Sequence, residues 1–220
     1  MRQALLLLAD SRLPAGGHAH SGGVAPAIEA GIIGDQPTVI AFLRGRLHTA
    51  GLLAGAVAAR ATHLAGGADR NWEALDGEVD ARTPAPAQRA VSRAQGRALL
   101  RVAGRAFQHP LLGELGAHPH HPVVLGVAVR LAGGSPGEAA AIAVAGAISG
   151  PASAALRLLG LDPLALTAAQ ATLAIEADAV ALRAAGYADQ PTDALPAPSA
   201  PLLDLLAQAH ARSEVRLFAS

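Results

Sequence analysis

Between residues 36 and 65, apolar side chains return every three or four positions, at Val39, Phe42, Leu43, Leu47, Ala50, Ala54 and Val57. That return puts them on one face of a long α-helix. Pro37 sits where a first-turn proline is accommodated, and Gly66-Gly67 provides the stop. The same periodicity predicts helices over 3–8, 23–30, 70–81, 87–107, 122–131, 136–159, 165–185 and 201–216. The run Val123 to Val129 is continuously apolar and could be a buried strand. We read it as helix, because no second such run exists to pair with it. The expected fold class is all-α: a compact single-domain helical bundle of about eight to ten helices, with 136–159 at its centre.

Composition agrees and narrows the function. Aromatic residues make up only 2% of the chain, so the core must be built from Leu, Val and Ala. Such small side chains let helix axes approach to about 8 Å. There is no cysteine, which removes disulfides, thiolate metal sites and thiol nucleophiles, and fits a reducing, cytoplasmic setting. All 17 basic residues are arginine. The absence of lysine excludes a Walker-type phosphate lysine and a Schiff-base lysine. The 17 acidic residues bring the net charge to zero, a poor match for nucleic acid. The uncharged run from Ala139 to Leu156 is long enough to raise the membrane question. It is mostly Ala and Gly, which gain little from lipid, so a buried helix is expected and no membrane span.

Five constellations could carry chemistry. The first is the loop from Asp10 to Gly23, with four glycines and the pair His18 and His20. No Cys, Asp or Glu completes a metal set beside that pair, and no acid orients His20 against Ser21. The loop therefore reads as a turn that packs or contacts a partner, with metal contact the alternative. The second is His118-Pro119-His120-His121-Pro122, read as a solvated connector, with a metal site again the alternative. The third is a stripe of Arg89, Arg93, Arg97, Arg101 and Arg105 on one predicted helix. Like charges at this spacing destabilise an isolated helix by roughly 0.2–0.5 kcal/mol per pair, so something acidic must face them. Glu73, Asp76 and Asp80 on the preceding helix could do so, or an acidic partner could. Gly96, within the same helix, costs about 1 kcal/mol against Ala and so marks a close contact. The fourth is the end of the chain, where Arg216, Leu217 and Phe218 suit burial on the body or in a partner. The last, Gly133 to Glu138, has the glycines of a phosphate loop but neither a preceding strand nor the lysine. It reads as a helix start capped by Ser135. No complete acid-base or nucleophile set is present, so no catalytic residue, metal ligand or cofactor is assigned.

Four segments in this order resemble the UreF family of urease accessory proteins. They are Ala9-Asp10-Ser11-Arg12-Leu13-Pro14 with the loop ending His20-Ser21-Gly22-Gly23, then Ser92 to Arg101, then His121-Pro122-Val123-Val124-Leu125-Gly126, and the closing Arg216-Leu217-Phe218-Ala219-Ser220. The resemblance implies one helical domain over 1–220, with a flexible loop-rich segment at about 10–23 and a tail at about 213–220. It further implies a cytoplasmic, homodimeric chaperone without enzymatic activity. Such a chaperone bridges the GTPase UreG and the scaffold UreD (UreH) in the complex that inserts nickel into apo-urease, and modulates the GTPase. The partner-binding residues expected on this basis are His20, Ser21, Gly22, Gln95, Gly96, Arg97, Arg101, Arg216, Leu217 and Phe218. The alternative function is a histidine-dependent nickel carrier.

Overall fold

Asp35 starts the long helical stretch by accepting a hydrogen bond from the Thr38 amide, while the Thr38 side chain answers the Asp35 backbone. This reciprocal cap satisfies two amides that the first turn leaves open. The computed structural model describes residues 2–15, 17 and 20–212. Among them are eleven α-helices and no strand. They are α1 (Arg2–Ala9), α2 (Val24–Glu29), α3 (Gln36–Arg46), α4 (Leu52–Leu64), α5 (Trp72–Ala81), α6 (Pro86–Phe107), α7 (His121–Leu131), α8 (Pro136–Leu159), α9 (Pro163–Thr172), α10 (Ala174–Ala185) and α11 (Pro201–Ala211).

The all-α reading holds, and the Val123 to Val129 run is helix α7, buried at every position. Two helices predicted as continuous are broken. A π-helical turn, Leu47–Gly51, separates α3 from α4. Leu173 separates α9 from α10, which are bent by 49°. Leu173 is fully buried, so the bend turns a core side chain inward.

The core forms where α4 packs against α7, α8 and α10. Centrality is thus shared between α4 and the predicted α8. Ala56, Val57, Ala58, Ala59 and Ala61 on α4 are all fully buried, and their small size permits the tight approach. The Thr62 hydroxyl lies within hydrogen-bond reach of the Ala58 carbonyl at 2.9 Å and the Gly126 carbonyl at 2.8 Å, joining α4 to α7. Ser135 caps α8 in a reciprocal box with Glu138, as its position predicts. By length and composition α8 could cross a membrane, but half of its apolar window is buried inside this fold.

Candidate functional site

The arginine stripe on α6 divides into two halves with different surroundings. Arg93 reaches Asp76 at 2.8 Å and Asp80 at 2.6 Å, and Arg89 lies 3.6 Å from Asp80. These are two of the three acids expected to face the stripe; Glu73 is exposed and takes no part. Further along, Arg97 contacts the His118 ring at 3.2 Å. Arg101 and Arg105 are exposed and have no carboxylate within ion-pair distance among the described residues. With Pro14, Ala98, Val102 and Ala106 they border a shallow, mainly apolar depression.

The 118–121 segment is not the solvated connector expected from its histidines and prolines. His120 is fully buried. Its Nε2 lies 2.9 Å from Asp80, its Nδ1 lies 2.9 Å from the Ser92 hydroxyl, and its amide donates to Asp76 at 2.9 Å. Burial pushes the His120 pKa down, outweighing the hydrogen bond to Asp80 that raises it. Burial acts to raise the Asp80 pKa, but hydrogen bonds from His120 and Arg93 hold it below the usual carboxylate value. Both shifts describe a neutral His120 donating to a charged Asp80. Asp76, Asp80 and His120 bring their donor atoms within 4.8 Å of one another, a spacing that could hold a metal. The Arg93 guanidinium already bridges the two carboxylates, so the cluster has its cation and serves packing.

Gly96 makes this junction possible. A Cβ there would stand 2.0 Å from the Pro119 carbonyl oxygen, so only glycine lets α6 lie against the segment. Gly96 is therefore buried inside the fold.

A second junction was not foreseen from the sequence. Pro151 lies inside α8 and has no amide hydrogen, which leaves the Ala147 carbonyl without its donor four residues on. The Arg46 side chain answers it, Nε donating to the Ala147 oxygen at 3.3 Å. Its Nη1 donates to the Gly22 oxygen at 2.6 Å. Gly22 has φ +60°, and a Cβ there would meet Pro151 Cγ at 2.7 Å and Arg46 Cζ at 3.2 Å. The π-helical turn begins directly after Arg46; such turns re-aim side chains and recur at functional sites. Burial pushes the Arg46 pKa down to about 10, with no carboxylate among the described residues opposing it. A proline inside an otherwise uninterrupted helical run was the available signal, since the freed carbonyl demands a donor.

Arg46, Gly22, His20, Gln95 and His121 all line one groove of about 590 Å³ running between α6, α8 and α11. Burial, aided by the nearby His20, lowers the His121 pKa to about 4. The Ser21 hydroxyl accepts the Ala25 amide at 3.2 Å, fixing the head of α2. The structure therefore brings His20, Gly22 and Gln95 together at this groove, with Ser21 beneath. Arg97 and Arg101 lie along the same helix as Gln95, while Arg216, Leu217 and Phe218 lie outside the described residues.

The UreF family model matches residues 33–174. The chain is 46% identical to the urease accessory protein UreF of Mycobacterium sp. (strain JLS), covering 98% of this chain and 97% of that protein. It is 45% identical to the protein of the same name from Mycolicibacterium vanbaalenii, with the same coverage. Identity to the Mycobacterium tuberculosis (strain H37Rv) protein is 44%, over 98% of this chain and 97% of that one. With more than half of the chain matched by the family and near-complete alignment to these relatives, the chain belongs to the UreF family of urease accessory proteins.

Proposed function

We propose that this chain acts in the cytoplasm as a homodimeric, non-catalytic subunit of the urease maturation complex. It joins the GTPase UreG to the scaffold UreD (UreH), modulates the GTPase and allows nickel to be inserted into apo-urease. The observation that carries this reading is the division of the α6 stripe. Arg89 and Arg93 are committed within the fold, whereas Arg101 and Arg105 face outward without a carboxylate partner among the described residues. Exposed arginines beside a depression suit planar pairing with acidic groups of a protein partner. The chain has no lysine and no phosphate loop, so nucleotide chemistry falls to the partner. We assign the closing Arg216, Leu217 and Phe218 to the scaffold contact. Self-association is best supported on α10, where Ile175 and Leu182 stand seven residues apart on one face, 82% and 78% exposed.

The test is reconstitution. Apo-urease, UreG, UreD, nickel and GTP should yield active urease only when this chain is added, and the chain alone should neither bind GTP at micromolar concentration nor hydrolyse it. Full activation without the chain would overturn the reading. The alternative nickel carrier gains no support from His120, because both of its ring nitrogens are engaged.

A further inference from the structure

We propose that Arg46 forms a binding site for a small carboxylate-type oxyanion, free in solution, within the groove between α6, α8 and α11. This goes beyond the partner-binding reading and stands independently of it.

Three observations converge on Arg46. Its hydrogen bonds go to two carbonyl oxygens, Ala147 and Gly22, which carry no formal charge. No carboxylate among the described residues lies within ion-pair distance of it. Of the two acids that line the groove among the described residues, Asp10 is held by Arg12 at 2.6 Å and Asp204 makes no ion pair with another described residue. The guanidinium is thus a partly buried cation without a counter-charge among the described residues, a costly arrangement unless a ligand completes it.

The group is also held in place. Gly22 and Pro151 close on it so tightly that a single added carbon at Gly22 would lie 3.3 Å from Nη2. The π-helical turn after Arg46 fixes where the side chain leaves its helix. Such fixation lowers the ordering cost of binding. Nε and one Nη1 hydrogen are used internally. Nη2 makes no hydrogen bond among the described residues, which leaves guanidinium N–H groups to donate to the oxygens of a carboxylate. The lowered pKa of Arg46, caused by burial alone, agrees with a site that lacks its anion. His20, Gln95 and His121 line the same groove and add polar groups around the entering ligand.

The experiment titrates the full-length protein with sodium acetate and sodium formate against sodium chloride at constant ionic strength. Thermal melting and the ¹³C line width of labelled acetate are read together. A saturable rise in melting temperature and line broadening with the carboxylates, and neither with chloride, is expected. Arg46→Lys keeps the charge but loses the planar fork, and should weaken acetate binding about tenfold, or about 1.4 kcal/mol. Arg46→Met should abolish it. If Arg46→Met does not fold, the Lys variant and the wild-type line widths still decide the matter. Equal effects of chloride and acetate, no broadening in the wild type, or unchanged binding in Arg46→Lys would each overturn the proposal.

Discussion

Replacing Arg46 by methionine tests whether one side chain repairs the break that Pro151 makes in α8. Methionine keeps much of the aliphatic length and removes both hydrogen bonds, to Ala147 and to Gly22. Hydrogen bonds from a charged group contribute about 1.5–3 kcal/mol each. Relief of the buried charge offsets part of that loss. The net destabilisation should be about 2–3 kcal/mol, which for a chain of this size lowers the melting temperature by about 4–12 °C. Pro151→Ala supplies the missing amide, so the Ala147 carbonyl regains its intrahelical donor. In that background Arg46→Met should cost about 1 kcal/mol less, because one of its two bonds is already replaced. The assay is urea unfolding of the wild type, both single variants and the double variant. Additivity within about 0.3 kcal/mol would refute the reasoning, since it would mean that Arg46 and Pro151 do not share the carbonyl.

Three further outcomes follow from the same geometry. Gly96→Ala must push α6 away from the Pro119 carbonyl, now 2.0 Å from the position of the added carbon, and should lower stability by about 1–3 kcal/mol in urea unfolding. His121 has a folded-state pKa of about 4 against 6.5 unfolded, so between those values the unfolded chain binds a proton that the folded chain does not. Stability from this group is full above about pH 6.5 and falls by about 3 kcal/mol as the pH drops towards 4, and His121→Asn should flatten that slope in melts run across the range. Ile175→Asp with Leu182→Asp should convert the proposed dimer to a monomer by light scattering while leaving the helical circular dichroism unchanged.

The helices were legible because apolar spacing and caps are local properties of the chain. Ser135 and the apolar run of α7 needed nothing from elsewhere. The π-helical turn at Leu47–Gly51 carries no comparable mark, since it sits inside an unbroken amphipathic pattern. The bend at Leu173 likewise follows from core packing and has no proline or glycine to announce it. His120 was misjudged because a histidine-proline segment looks solvated when its partners, Asp76, Asp80 and Ser92, lie 28 to 44 residues away. Gly96 did signal a close approach within α6, though not which segment came near. The two roles of the arginine stripe could not be separated by spacing alone, because all five arginines share it; only the position of α5 beside the first half divides them.

The central claim is that the free half of α6 meets an acidic protein partner, and charge reversal tests it most directly. Arg101→Glu combined with Arg105→Glu should leave the melting temperature within a degree or two of wild type, because neither arginine has a carboxylate partner among the described residues. The same variant should bind UreG, in the presence of UreD, at least about tenfold more weakly by calorimetry and co-elution, a change of about 1.4 kcal/mol. Undiminished binding by a stable double variant would contradict the account.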